Sequence, residues 1–170
     1  MKRVNITIDE DEGIFRKADL NLDDINYLVN RGYWDSIQYD LFGAKDYYML
    51  KPASNETCQH FFLIKMITKY IICEGFPVWN YKTVKPDIIF EVQNRKIAIE
   101  VETGNNLRNN KKQFLKKVES LKQNFGYNWF FVVTNRDLVK KYKKYGRTYT
   151  RKNVVNGIKR YVNFKPRNYM

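Results

Sequence analysis

Two short runs of alternating residues, 88–92 and 96–102, constrain the fold of this chain more than any other feature. Every second residue in them is apolar: Ile88, Phe90 and Val92 in the first run, and Ile97, Ile99 and Val101 in the second. This two-residue period is typical of β-strands. Asn94 and Arg95 between the runs predict a two-residue turn that would pair Gln93 with Lys96. The sequence therefore predicts a β-hairpin with one apolar face.

Three carboxylates fall on the other face of this hairpin. In the predicted register Asp87 lies opposite Glu102, and Glu100 lies beside them. Like charges at that spacing repel and raise one another's pKa unless a cation lies between them. The pattern indicates a site for a divalent metal ion with Asp87, Glu100 and Glu102 as ligands. The alternative is a solvent-exposed face whose acids pair with nearby basic residues: Lys82, Lys85, Arg95 or Lys96.

Positive charge is concentrated in the last third of the chain. The formal net charge is +13, yet residues 108–170 hold 18 of the 31 basic residues and only two acids, Glu119 and Asp137. Such asymmetry predicts a surface that binds a polyanion, with DNA as the expected partner, whereas the alternative is an ordinary solvated surface. Phosphate contacts and base stacking are expected from one basic, tyrosine-containing segment: Lys140, Lys141, Lys143, Lys144, Arg147, Tyr149 and Arg151. The alternative is a helix whose tyrosines, Tyr142, Tyr145 and Tyr149, pack inward while its lysines face water.

No segment predicts a membrane span or a secretion signal. The longest apolar run, 61–73, is interrupted by Lys65 and Lys69, and the N-terminus lacks an apolar core. Cys58 and Cys73 have neither zinc-site nor disulfide spacing, so we expect both to be buried thiols. We therefore expect a cytoplasmic protein with no membrane contact, either a monomer or a homodimer.

Local patterns divide the chain into two parts, 1–53 and 54–170. The first part predicts a strand at "RVNITI", a helix at "LNLDDINYLVN" ending at Gly32, and two strands joined through Gly43. A helix followed by a hairpin is similar to the last part of a winged-helix module. We therefore interpret residues 1–53 as a small N-terminal appendage.

The second part, 54–170, predicts a longer series of elements. A helix capped by Ser54 or Asn55 runs to Gly75, a strand follows at "FPVWNYK", and the acid-bearing hairpin comes next. An amphipathic helix then ends at Gly126, and a strand at "NWFFVVTN" and a helix at "RDLVKKYKKYG" complete the order α-β-β-β-α-β-α. The fold class is α/β, and we expect the first helix of this part to cover the acidic face.

Pro86-Asp87 and Glu100-Val101-Glu102, on successive strands in this order, resemble the PD-(D/E)xK nuclease superfamily, whose restriction-endonuclease-like core is αβββαβ. The resemblance covers roughly residues 54–135. It implies a Mg²⁺- or Mn²⁺-dependent DNA endonuclease or nicking protein, with Asp87 and Glu100 at the metal. Glu102 stands where most members have Lys, as in the ExE form of some restriction enzymes. The chain is also loosely similar to replication-relaxation-type proteins of plasmids and other mobile elements.

Lys117 is a candidate for the missing catalytic lysine. An inward stripe of Phe114, Val118 and Leu121 places Lys117 about 60° from Phe114 and Lys116 away from the core, at 100° per residue. Gln113 lies on the same flank as Lys117. The alternative is a lysine whose stem covers the edge of the apolar stripe.

His60 and Glu56 are further candidates, one turn apart near the start of the helix at 54–75. Glu56 could be a fourth acid of the site, and His60, the only histidine, either contacts phosphate or has a structural role. Two functions stay open beside the nuclease. One is a non-catalytic DNA-binding accessory protein for replication or conjugation, and the other is an assembly protein whose basic segment binds another macromolecule.

Overall fold

The computed structural model describes residues 8–9, 12–54, 56–80 and 86–163. The protein is a mixed α/β structure with a three-stranded antiparallel sheet and a five-stranded mixed sheet, as the α/β assignment requires. Most of the strand predicted at "RVNITI" and the candidate cap Asn55 lie outside the described residues. Within the described ranges, no helix is both long and apolar enough to cross a membrane.

The described part of the N-terminal unit contains β1 (Ile14–Arg16), a 3-10 turn (Lys17–Asp19), α1 (Leu22–Asn30), β2 (Trp34–Tyr39) and β3 (Lys45–Leu50), in the sheet order β1-β3-β2. Asn21 begins α1 with a capping box, since its side chain accepts from the Asp24 amide and the Asp24 side chain accepts from the Asn21 amide. The predicted helix and hairpin are confirmed. The short β1, which pairs with β3, was not predicted.

The three-stranded sheet packs against the elements of the larger unit. Leu41, from the turn between β2 and β3, lies in the core of the larger sheet. The ring of Tyr48 on β3 packs edge-on against Phe62, with 4.8 Å between ring centroids. The division of the chain at residue 53 stays a prediction.

The first helix of the larger unit, α2 (Cys58–Cys73), begins later than predicted. Thr57 is its N-cap, because the Thr57 side chain accepts from the His60 amide, so the prediction of Ser54 was wrong. Cys58 is half-buried and Cys73 is exposed, which corrects the prediction of two buried thiols. The following strands are β4 (Val78–Asn80), β5 (Ile88–Val92) and β6 (Arg95–Glu102).

The hairpin of β5 and β6 turns one residue earlier than the sequence predicted. Val92 pairs with Arg95, and Gln93 and Asn94 form the turn with positive φ values of 51° and 61°. A two-residue turn of this kind needs left-handed backbone at both central residues, which Asn adopts more readily than Arg. The register therefore moves by two residues, so Ile88 pairs with Ile99 and not with Val101. The apolar residues keep their face, but continuing this register by one residue places Asp87 opposite Glu100 and not opposite Glu102.

The rest of the chain completes the larger sheet and its helices: α3 (Asn105–Asn109), α4 (Lys111–Phe125), β7 (Trp129–Val133), α5 (Val139–Tyr142), β8 (Thr148–Thr150) and α6 (Val154–Val162). The sheet order is β4-β5-β6-β7-β8, with β6, β7 and β8 parallel and the other pairs antiparallel. The amphipathic α4 ends before Gly126 as predicted, whereas the helix at "RDLVKKYKKYG" is a 3-10 turn followed by the single turn of α5.

Each face of the larger sheet has its own apolar core. Ile97, Ile99 and Val101 of β6 pack on the face that α2 and α6 cover. Ala98 of β6 packs on the opposite face with residues of α4 and α5. Since Glu100 and Glu102 alternate with Ile99 and Val101, they lie on the α4 face. The prediction that the first helix covers the acidic face was therefore wrong: α4 covers it.

Candidate functional site

Two carboxylates are buried at the C-terminal end of β6. Glu100 and Glu102 are each only 1% exposed. Among the described residues, Glu100 Oε2 and Glu102 Oε1 have no hydrogen-bond partner although both atoms are buried. Burying a carboxylate oxygen without a donor or a cation costs about 1–3 kcal/mol per group, and more when the group is charged. The arrangement therefore favours a bound cation or a polar ligand at these two oxygens.

Lys117 reaches these acids from α4. Its Nζ donates to Glu100 Oε1, and the side chain is mostly buried. Burial lowers the pKa of Lys117, but the negative charges of Glu100 and Asp87 outweigh burial and raise it above its usual value. Burial and the charge of Asp87 raise the pKa of Glu100 well above its usual range, although Lys117 opposes them. One ammonium thus compensates only part of the negative charge gathered here.

Gln113 is separate from this group. Its side chain is exposed and accepts from Asn110 Nδ2 at 2.7 Å, at the beginning of α4. Lys116 is exposed on the outer side of α4, as the helical geometry predicted. The structure therefore brings Lys117 to the acids and leaves Gln113 and Lys116 outside.

Asp87 is held by the end of β6 and by α2. Its Oδ2 accepts from the Val101 amide at 2.8 Å and lies 3.5 Å from His60 Nε2. Burial raises the pKa of Asp87, but the hydrogen bond and charge of His60 and the charge of Lys117 lower it below its usual value. Asp87 is therefore an ionised carboxylate in a fixed orientation.

His60 contacts an acceptor with each ring nitrogen. Nδ1 lies 2.7 Å from Glu56 Oε1, and Nε2 lies 3.1 Å from the carbonyl oxygen of Val101. An imidazole that donates to two acceptors carries both protons and a positive charge. Burial lowers the pKa of His60, but the hydrogen bonds to Asp87 and Glu56 outweigh it and raise the pKa to about 10. His60 therefore joins the start of α2 to the start of β5, at Asp87, and to the end of β6, at Val101.

Tyr142 is a member of the site that the sequence did not reveal. Its buried hydroxyl donates to Glu102 Oε2 at 3.0 Å. Burial raises the pKa of Glu102, with Lys117 and the Tyr142 hydroxyl opposing it. Tyr142 follows Leu138 and Val139 by four and three residues, the spacing of an inward helical stripe, and its burial confirms for this residue the alternative that the tyrosines of the basic segment pack inward. That spacing was the available signal.

A single pocket of about 410 Å³ is lined by six of the seven residues predicted at or near the acidic site, all except Gln113. Its lining includes Glu56, His60, Asp87, Glu100, Glu102 and Lys117. The wall from α2 also contains Thr57, Phe61, Ile64 and Lys65, and residues from other elements complete it: Asn80, Thr103, Asn105 and Asn106. The pocket is therefore acidic at its base, with apolar and amide side chains above.

The basic segment divides into two groups. Lys140, Lys141, Lys143 and Lys144, which we name the lysine surface, are exposed on and after α5. Because Tyr142 of α5 bonds Glu102, the lysine surface belongs to the same side of the sheet as the acids.

The other three residues of the basic segment make contacts within the protein. Tyr149 packs edge-on against Phe130, with 5.1 Å between ring centroids. Arg147 donates to the Tyr161 hydroxyl at 3.0 Å. The guanidinium of Arg151 donates to the carbonyl of Asp40 at 3.2 Å. These contacts tie the segment to the core and to the N-terminal unit, so a stacking role for Tyr149 is not favoured.

No protein-family model, curated protein or solved structure matches this chain.

Glu100 and Glu102 suit a hard divalent metal ion that keeps part of its water shell. No three or more His, Cys, Asp or Glu side chains in the described part of the chain form a group that could hold a metal ion by themselves. Magnesium, however, keeps several waters and is usually bound by one or two carboxylates together with substrate phosphates. Glu100 and Glu102 offer two buried, unpartnered carboxylate oxygens of this hard type. The residues therefore fit a magnesium or manganese site that the substrate completes.

Proposed function

We propose that this protein is a metal-dependent nuclease of the PD-(D/E)xK type that hydrolyses phosphodiester bonds in DNA. The observation that carries the proposal is the contact between Lys117 and Glu100 at the base of the acidic pocket. The superfamily motif places its lysine two residues after the second acid, where this chain has Glu102. Lys117 offers an ammonium beside Glu100 from α4 instead.

The order of elements supports a restriction-endonuclease-like core. Between residues 58 and 133 the chain runs α2, β4, β5, β6, α4 and β7, with the short α3 before α4. This is the αβββαβ order of the superfamily. Asp87 precedes β5 and Glu100 lies near the end of β6, which agrees with the positions that the resemblance implies for the Asp and the first Glu.

Each residue of the pocket has a distinct part in the proposed reaction. Glu100 and Glu102 would hold Mg²⁺ or Mn²⁺, with Asp87 beside them, and the ion would supply an activated water and neutralise charge on the phosphate. Lys117 would stabilise the negative charge that develops during attack. His60 holds Asp87 through the ion pair at 3.5 Å, and Tyr142 orients Glu102 through the hydrogen bond described above.

The lysine surface supports nucleic acid as the substrate. Lys140, Lys141, Lys143 and Lys144 carry four positive charges on the side of the sheet where the acids lie, and these charges suit phosphates. A basic surface on the same side of the sheet as buried carboxylates can attract a polyanion toward a site that would otherwise repel it.

A second candidate is a DNA-binding accessory protein that does not cleave. Its support is the ion pair itself, because an ammonium on Glu100 can replace a metal ion as the compensating charge. The same residues would then form a structural charge cluster under a DNA-binding surface.

A cleavage assay separates the two candidates. Supercoiled and branched DNA are incubated with Mn²⁺ and with wild type, Glu100→Ala or the control Glu119→Ala, whose acid is exposed on α4. We expect Glu100→Ala to lower the rate by at least about 100-fold with little loss of DNA affinity, and the control to cleave normally. Equal cleavage by Glu100→Ala would point to a contaminating nuclease, and absence of cleavage by wild type on any substrate would favour the accessory protein.

A further inference from the structure

The depth of the carboxylates restricts which form of DNA can reach them. Glu100 and Glu102 are almost fully buried at the base of the pocket. One wall of the pocket is the face of α2, and Asn105 and Asn106 at the start of α3 lie on another side. A strand within a duplex must be unpaired and unstacked before one nucleotide can enter a pocket, which costs a few kcal/mol, and this cost is least for a strand that is already single.

The α2 wall offers the contacts that an unpaired base uses. Phe61 follows Thr57 by four residues, and Ile64 and Lys65 follow Phe61 by three and four residues, so these side chains share one side of α2. Phe61 and Ile64 are half-buried, so part of each side chain is open to the pocket. The Lys65 ammonium lies 5.6 Å from the centre of the Phe61 ring. An aromatic ring beside a cation is a typical stacking platform for bases of any sequence.

Amide side chains lie around the same pocket. Asn80, Asn105 and Asn106 line it from β4 and α3, and all three are exposed. An amide both donates and accepts hydrogen bonds, so it can contact the base edges that pairing occupies in a duplex. The wall is therefore apolar where a base would stack and polar where its edge would point.

We propose that the pocket takes one nucleotide of a single-stranded DNA segment, such as a flap, a frayed end or a free strand, and not of an intact duplex. The base lies against Phe61 and Ile64, and the phosphate points toward Glu100 and Lys117. The cleavage consequence of this inference depends on the proposed nuclease function, whereas the binding preference does not.

Binding in the presence of EDTA tests the preference directly. The probes are a labelled single strand about 12 nucleotides long and the duplex formed with its complement. Charge alone favours the duplex, because the salt slope per neutralised phosphate is about −0.9 for B-DNA and about −0.7 for single strands. We nevertheless expect wild type to bind the single strand at least about fivefold more tightly, because the pocket adds the stacking of one base on an aromatic ring.

Two tryptophan variants on the same helix provide a matched comparison. Ile64→Trp fills the pocket, whereas Ile72→Trp makes the same change at a position on α2 that is 58% exposed. We expect Ile64→Trp to weaken single-strand binding by about tenfold and leave duplex binding unchanged, with no effect of Ile72→Trp. Phe61→Leu keeps an apolar side chain but removes the ring, so it should weaken single-strand binding at least about fivefold. This second variant tests the pocket even if Ile64→Trp does not fold.

The outcomes distinguish this inference from the proposed function. A duplex preference in wild type, or unchanged single-strand affinity in both pocket variants, would overturn the inference. Single-strand preference without cleavage by Mn²⁺-loaded protein would support the inference and contradict the nuclease. Cleavage of a flap substrate only in its unpaired arm would support both the inference and the nuclease function. Equally fast cleavage of intact linear duplex would support the nuclease function but overturn the single-strand pocket.

Discussion

Lys117 of α4 donates from its ammonium to Glu100 of β6, which lies 17 residues earlier in the chain. Glu102, on the same face of β6, bonds the Tyr142 hydroxyl and leaves its other oxygen unpartnered among the described residues. One strand thus carries two buried acids with different neighbours. Where a PD-(D/E)xK motif would carry a lysine on the strand, this chain has Glu102, and Lys117 brings an ammonium to Glu100 from a helix.

Replacing Lys117 tests whether this ammonium takes part in cleavage. We expect Lys117→Ala to lower the cleavage rate by about 100-fold or more, because it removes a positive charge from the place where negative charge develops. Lys116→Ala is the matched control, since Lys116 is the preceding residue of the same helix and is exposed. Wild-type rates in Lys117→Ala, with Glu100→Ala inactive, would show that Glu102 and its metal act without this lysine.

Divalent metal should stabilise the folded protein through the acidic pocket. A free metal concentration of about 100 times Kd should raise Tm by about 5–10 °C for a chain of this size. The double variant Asp87→Asn with Glu100→Gln should lose this increase, and Glu119→Gln, an exposed acid on α4, should keep it. Differential scanning fluorimetry with Mg²⁺, Mn²⁺ or EDTA provides the measurement. A metal response that survives the double variant would place the ion elsewhere.

The acidic pocket was partly predictable because its local signals are strong. The alternation in β5 and β6 is a local pattern that identified the apolar face, and the apolar stripe of α4 placed Lys117 toward the sheet. The hairpin register was not predictable with the same accuracy. "QNR" allows a turn at Gln93-Asn94 or at Asn94-Arg95, and the two choices differ by a two-residue shift that leaves the apolar faces unchanged.

The contacts of His60 and Tyr142 could not be predicted from local patterns. His60 bonds the carbonyl of Val101, 41 residues later, and Tyr142 bonds Glu102, 40 residues earlier. Such contacts depend on which helix covers which face of the sheet, and the helix expected on the acidic face was α2 and not α4. The spacing of Tyr142 from Leu138 and Val139 indicates an inward-facing side chain, but no local pattern shows that its hydroxyl bonds Glu102.

The protonation of His60 should be observable directly, because it is the only histidine. Its pKa is raised to about 10 in the folded state, so the positive charge stabilises the fold fully below about pH 6.5 and this contribution is lost as the pH rises toward 10. In EDTA, the imidazole C–H resonances should not titrate between pH 6 and pH 8. The loss of unfolding free energy caused by His60→Gln should also shrink between pH 7 and pH 10. A His60 resonance that titrates near 6.5 would contradict the doubly protonated ring.

Salt dependence should identify the surface that binds DNA. Each phosphate neutralised on a duplex contributes about −0.9 to the slope of log affinity against log salt. Replacing all four residues of the lysine surface by Ala should therefore make the slope less negative by about 2 to 4 and weaken binding to all sequences alike.

A charge-matched control separates this surface from the overall positive charge of the chain. Four exposed lysines of α4 can be replaced by Ala at the same cost in net charge: Lys111, Lys112, Lys116 and Lys122. Long-range attraction falls in both variants, but only direct phosphate contacts release counterions, so the α4 variant should keep a slope close to that of wild type. Fluorescence anisotropy across a series of salt concentrations measures both slopes. If the α4 variant flattens the slope as much as the loss of the lysine surface does, DNA binds the charge of the whole domain and α5 is not its specific contact.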